Sequence, residues 1–489
     1  MRIIENRTMS MRRDLRLGAV AAALLALAGC ATVNIDQAVA DTDQALPGFT
    51  EGNLELRRTP QQLEAREQLA SELLARPLAM DDAVRLALAN SPTVQALIAQ
   101  GWNDMALADQ AGRIANPVFT FERMRLGEEL EIARLLSIGL LDLITLPQRQ
   151  AIARSQIEQG RVQLATRIVE HVNAVRLAWV HAVTSQQSLG YAQQVYQAAE
   201  ASAELARRMH QVGNFTRLQR ARQQAFYADA AAQLTSATHA RTAAREELVR
   251  QLGLNTTQAE QLKLPERLPD LPKEPRQPAE MVLMAFQQRL DVQLARLQLQ
   301  VAGKAQGLNL LNSVVDVELG VRHDTLFDNA PDQPHLGADR ENRNGFELSV
   351  RIPLFDWGGA QRAAMNAQSL AAANRYDAVI RTASSQLRES YSAYRSAYDL
   401  ARHYRDEIVP LRQAISEESQ LRYNGMLIGV FELLADTRDQ IATVTASINA
   451  LQQFWLADAG LASTLVGKPV ASGSTRVSTS SGSGGDAGH

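Results

Sequence analysis

From Gln148 to Val212 the chain runs through roughly 65 residues with no proline, and a second reach of similar length extends from Gly359 to Asn424. If helical, each would span about 100 Å at ~1.5 Å per residue, far more than a compact domain can enclose. Pro147 stands where the first helix should begin, and Pro410, inside the second, should kink or locally break it. Composition agrees with long, closely packed helices. Apolar residues make up 46% of the 489, but aromatics only 5%, so the apolar content is mainly alanine and aliphatic.

The two reaches belong to two copies of one plan. Asn90-Ser91-Pro92 aligns with Arg289-Leu290-Asp291 at one offset; at a larger one Arg176 aligns with Arg388, Trp179 with Tyr391 and Gly213 with Gly425. The extra residues of the second copy fall in the polar stretch His323 to Gly345, expected as a long loop where the first copy has a short link around Arg125 to Glu129. Each copy opens with a helical stretch, Leu78 to Ala115 and Ala279 to Leu311. Each closes with a return helix that ends at Leu252-Gly253 or at Leu465-Val466-Gly467.

Ahead of each long helix the hydrophobic period changes from 3.6 to two. Val315, Val317, Leu319 and Val321 alternate with Asp316, Glu318, Gly320 and Arg322. Phe346, Leu348, Val350, Ile352 and Leu354 alternate with Glu347, Ser349, Arg351, Pro353 and Phe355. Val118 to Arg125 and Leu130 to Leu141 are the matching strands of the first copy. Arg134 interrupts the apolar face there.

Arg12, Arg13 and Arg16 precede a short apolar core, Leu17 to Ala28, and then Leu27-Ala28-Gly29-Cys30: a signal peptide. Its ending resembles the bacterial lipobox, which implies lipidation of Cys30. No later run is apolar for 18 residues or more, so a membrane crossing would have to be a β-barrel. Four strands cannot close one alone, since about eight is the minimum, and open edges in lipid leave backbone groups unpaired. Two, three or four chains could share a barrel. The alternative is two amphipathic hairpins packed on the protein's own core, but hairpins that interrupt such long helices behind an export signal favour the membrane.

The plan divides into a leader (1–29), an extended N-terminal segment lipidated at Cys30 (30–77), a first repeat (78–254), a Pro-rich connector (255–278), a second repeat (279–467) and a disordered tail (468–489). Duplicated helix–hairpin–long helix–return helix units behind such a leader resemble the TolC, or outer-membrane factor, family. The motifs that carry the resemblance are Ala87-Leu88-Ala89-Asn90-Ser91-Pro92, its partner around Arg289-Leu290-Asp291, and the strand-to-helix passage Ile352 to Gly359.

The resemblance implies a mostly α protein with membrane β: long-helix units forming an α-barrel tunnel, and four strands per chain entering a trimeric 12-stranded outer-membrane β-barrel. It further implies a homotrimer in outer-membrane lipid, a periplasmic adaptor and an inner-membrane efflux pump as partners, and metal cations or small organic compounds as cargo. The turns Gly213-Asn214-Phe215-Thr216-Arg217 and Gly425 to Gly429 correspond to periplasmic tips where the adaptor docks; without the resemblance they are ordinary helical-hairpin turns. Glu432 stands where the family often places a gate carboxylate, with Asp436 as a helper. Gln219 takes the same place in the first repeat.

Nothing in the chain points to an enzyme, a cofactor or a resident metal. There is no nucleophile motif, phosphate loop or HExxH, and one cysteine allows no intrachain disulfide. Fifty basic against 53 acidic residues leave a net charge of −3, without the basic surplus of a nucleic-acid binder. His323 and His335, with Asp324, Asp328 and Asp332, read as a solvated acidic loop rather than a metal site. Met281 and Met284 read as helix core. Two other classes fit less well: a lipoprotein adaptor should carry one hairpin between Gly-rich β domains, and a structural coiled-coil lipoprotein leaves the strands unexplained.

Overall fold

The computed structural model describes residues 33–50, 54–127, 129–277, 289–314, 316–328, 339–352 and 354–468. The leader, Cys30, Met281, Met284, Asp332, His335 and nearly all of the tail lie outside these residues.

The described chain begins with α1 (Ile35–Gln44) and α2 (Pro60–Leu74). The expected extended segment is therefore half helical, because its caps are strong. Asn34 Oδ1 accepts from the backbone of Asp36 and Gln37, and Thr59 with Gln62 closes a capping box ahead of Pro60. Next come α3 (Met80–Asn90) and α4 (Pro92–Ala111), divided at Ser91 because the residue before a proline is driven out of the helical region.

The first hairpin is β1 (Val118–Leu126) and β2 (Glu129–Gly139). Its strand stops before Leu140, where α5 (Leu140–Gln211) begins and runs for 72 residues with Pro147 inside it. Pro147 is thus not the helix start. The turn that contains it is held from outside: Arg149 bonds the Asp142 carboxylate and donates to the carbonyls of Ala111 and Arg113. The return helix is α6 (Arg217–Leu252). The connector then opens with a short helix, α7 (Thr256–Gln261), started by an Asn255–Gln258 capping box that the proline count concealed.

The second copy repeats the order as α8 (Leu290–Val314), β3 (Asp316–Asp328), β4 (Asp339–Arg351), α9 (Gly359–His403), α10 (Val409–Asn424) and α11 (Val430–Leu465). Between α9 and α10 lies one π turn, Tyr404–Ile408, in which Val409 N–H reaches back to Tyr404 O. The local break expected at Pro410 takes this form, since proline offers no N–H and the ladder before it slips by one residue.

The polar stretch 323–345 is not a loop over most of its length. β3 and β4 stay paired from Asp316↔Arg351 to Asp328↔Asp339. Unlike charges and amides face one another across the ladder, as in Asp324↔Arg343 and His323↔Asn344, so the strands extend without apolar alternation.

The chain forms two compact units. One, within Met1–Thr42, Ile98–Arg161 and Leu297–Leu370, holds the sheet; the other, within Asp43–Leu97, Val162–Arg296 and Ala371–His489, holds the main helical core. In the helical unit both repeats end in the same way. Gly253 closes α6 at φ +65° against Ser91 and Pro92, while Asn90 Nδ2 donates to its carbonyl at 2.9 Å. Gly467 follows α11 at φ +93° against Leu290 and Asp291, and Leu290 N–H bonds Val466 O at 2.9 Å. The aligned tripeptides are therefore seats for the two return helices. Trp179 and Tyr391 also correspond: each donates to the segment before its repeat's first helix, at Leu78 O (2.9 Å) and Arg276 O (3.3 Å). A cluster of Tyr394, Tyr398, Phe454 and Leu271 secures the connector, with Tyr398 Oη donating to Pro272 and Lys273 carbonyls.

Candidate functional sites

The four strands make one antiparallel sheet in the order β1-β2-β3-β4, so among the described residues β1 and β4 each present an unpaired edge. The register sorts the side chains into two faces. One face carries three successive apolar rows: Val317–Val350; Ile138–Leu319–Leu348; and Phe119–Leu136–Val321–Phe346. Most of these are exposed, Phe346 at 82% and Leu348 at 56%, so the chain alone leaves an apolar sheet surface uncovered.

The other face carries Glu122, Glu131, Glu318, Arg322, Asp324 and Glu347, and Leu135 fits where Gly320 has no side chain. Arg134, the anomaly of the alternation, stands in the next row of the apolar face with His323 and Asn344, where the apolar rows end. It donates to Thr325 Oγ1 at 3.2 Å. Past β4, Leu354, Phe355 and Trp357 are exposed on the way into α9.

The second site is the pair of turns in the helical unit. After α5, Gly213 takes φ +85°, which a side chain would resist, and Asn214 N–H bonds Met209 O. Thr216 caps α6: its Oγ1 accepts from Gln219 N–H, while Gln219 Oε1 accepts from Thr216 N–H at 2.8 Å. Asn214, Thr216 and the first helical residue, Arg217, are exposed. In the second turn the left-handed residue is Met426 (φ +59°), not Gly425, whose φ is −80°. Met426 is 93% exposed and Leu427 78%. Gly429 precedes α11 and has no side chain with which to cap it.

Glu432 and Gln219 both occupy the third position of their helices. Gln219 is consumed by its cap. Glu432 is exposed and, among the described residues, its carboxylate has no hydrogen-bond or ion-pair partner. Asp436 differs from both: it is half-buried and accepts a hydrogen bond from Ser419 on α10, which ties the hairpin together.

Several contacts here had no motif to announce them. Phe215 and Phe431 join the two turns with ring centroids 4.9 Å apart. Arg438 lies 4.5 Å from the Phe226 ring centroid and donates to the buried Gln223, so α11 grips α6. The sequence signal was that one of the few aromatics lies in the first turn and another just after the second. Farther along α5, Arg207 and Arg208 hold the Glu204 carboxyl at about 2 by direct hydrogen bonds, and the Tyr227 hydroxyl bonded to Tyr196 pushes that phenol up to about 12.

By sequence the chain matches no family model and no curated protein. Its structure does match solved ones. A membrane protein from Pseudomonas aeruginosa is 18% identical over 79% of this chain and 93% of its own, with a TM-score of 0.65. The outer membrane protein VceC of Vibrio cholerae is 14% identical over 80% and 96%, TM-score 0.65. The Campylobacter jejuni CmeC outer membrane channel is 13% identical over 88% and 92%, TM-score 0.65. The chain has the TolC-type fold. The mostly helical architecture with its four-stranded antiparallel sheet is that of these outer-membrane channels, across most of each chain's length.

Proposed function

We propose that the chain is one protomer of a trimeric outer-membrane efflux duct, anchored by a lipid on Cys30. It would give cargo a passive path outward from an inner-membrane pump joined through a periplasmic adaptor. One observation carries this reading: a sheet with two open edges, apolar on one face and charged on the other, leads directly into helices of up to 72 residues. Open edges in lipid cost several kcal/mol for each orphan group, so sharing a barrel removes the penalty. Three chains would supply twelve strands, with the apolar rows toward lipid and the charged face lining water. The exposed Met426 and Leu427, presented by a strained turn, suit docking of an adaptor. Sizing in mild detergent and electron microscopy test this: a threefold particle is expected, and a monomeric membrane form of the wild type would end the proposal.

Cys30 is expected to be residue one of the mature chain. Intact-mass measurement should give a chain starting at Cys30 with added acyl mass; an unmodified chain starting elsewhere would refute the anchor.

Glu432 is proposed as the gate carboxylate. Repeated three times about an axis, its unpartnered charge becomes a ring that attracts cations. In planar bilayers Glu432→Gln is expected to lose cation selectivity and block by divalent cations. Asp436→Asn, whose native group is engaged by Ser419, is expected to change conductance less than the stability of the hairpin. Unchanged selectivity in Glu432→Gln would leave it a surface residue at a helix start.

A further inference from the structure

On the apolar face of the sheet, the rows nearest the hairpin turns change character. After Arg134 and His323 comes a row with Arg123 and Asn342, then one with Arg125 and Arg340. Arg340 stands 6.0 Å from the Phe327 ring centroid in that last row. Among the described residues no aspartate or glutamate shares this face.

The opposite face of the same strands behaves otherwise. There Arg322 pairs with Asp324 at 2.9 Å, Arg343 with Glu341 at 3.2 Å and Arg351 with Asp316 at 3.2 Å. Among the described residues, no ion pair holds Arg123, Arg125, Arg134 or Arg340. Solubility alone would mix both signs on either face. Instead, among the described residues of the four strands, every guanidinium without a carboxylate partner lies on the face that continues the apolar rows, just beyond their end.

We propose that these arginines form a docking surface for phosphate-bearing lipid headgroups of the outer leaflet. The inference rests on the reading that the apolar face meets lipid. A headgroup layer begins where the hydrocarbon ends, which is where the arginines begin. The guanidinium fork binds phosphate oxygens through paired charge-assisted hydrogen bonds. Phe121 stands in the row of Arg134 and Phe327 in the row of Arg125 and Arg340, so aromatic side chains accompany the arginines, as they do at a bilayer interface.

The test uses the full chain in phosphatidylcholine vesicles with and without lipid A, the acylated and doubly phosphorylated glucosamine disaccharide. Bound lipid is counted by native mass spectrometry, and the dissociation temperature of the assembly is recorded. Lipid A should stay bound and raise that temperature; its dephosphorylated form should do neither. Replacing Arg123, Arg125 and Arg340 together by glutamine should weaken retention by roughly tenfold or more. R322Q with R343Q, on the opposite face, should retain it. Arg125→Gln alone guards against a triple variant that does not fold, and its retention should also fall. Equal retention in the arginine variants, equal binding of the dephosphorylated lipid, or the same stabilisation from inorganic phosphate would overturn the proposal. Failure of the wild type to enter vesicles of either composition would instead remove the membrane reading, and this inference with it.

Discussion

Leu348→Arg is expected to abolish assembly of the sheet in a membrane. Leu348 lies in the middle apolar row, between Val350 toward the helices and Phe346 toward the turns. An arginine facing lipid near the bilayer midplane costs about 2–4 kcal/mol, and near an interface only about 0–1. Val350 belongs to the row beside the helices, so Val350→Arg should do less harm. With each chain of an oligomer carrying the defect, the loss at Leu348 multiplies. The neighbour Glu347 points to the charged face, and Glu347→Lys should leave assembly intact. Heat-resistant oligomer on unboiled gels and sizing in mild detergent read the outcome. An assembled Leu348→Arg beside an unassembled Glu347→Lys would reverse the assignment of the two faces.

Gly253→Ala should be nearly as damaging, for a reason confined to the helical unit. Gly253 adopts φ +65°, which costs a side-chain-bearing residue about 1–2 kcal/mol. An added Cβ would stand 2.6 Å from Ser91 Cα and 2.6 Å from Pro92 Cδ. Neither atom is the end of a flexible side chain, so backbone must move, at about 1–3 kcal/mol more. Gly213 supplies the comparison. Its φ is +85°, yet nothing lies within 4 Å of an added Cβ, so Gly213→Ala should cost only the conformational part. The dissociation temperature should therefore fall markedly for Gly253→Ala and slightly for Gly213→Ala. Equal effects would mean that the seat formed by Ser91 and Pro92 yields easily.

Much of this fold could be read along the chain because its signals are periodic and local. A proline-free reach, a switch to alternation and a glycine at each helical turn act through near neighbours, and the duplication states each of them twice. Ser91-Pro92 and Arg289-Leu290-Asp291 were visible as repeated motifs. Their work as seats for Gly253 and Gly467 was not, because those contacts join residues far apart in sequence.

Where expectation and structure part, tertiary pairing is the cause. The stretch 323–345 has no apolar alternation, so composition spoke for a loop. β3 and β4 hold it as strand by cross-strand pairs that no single segment displays. Pro147 suggested a helix start, yet Arg149 bonds to Asp142, Ala111 and Arg113 hold the proline-containing turn inside α5. Asp436, the expected helper of Glu432, is instead engaged by Ser419 on the neighbouring helix.

The duplicated order of hairpin, long helix and return helix was written in consecutive residues, since helix and strand periods are properties of neighbours along the chain. Which face of the sheet gathers the arginines without carboxylate partners, which glycines have no room for a side chain and which carboxylate is left without a partner among the described residues are set by tertiary contacts. Those depend on register and on packing between segments, where a side chain's partner is set by position in space and not by distance along the chain.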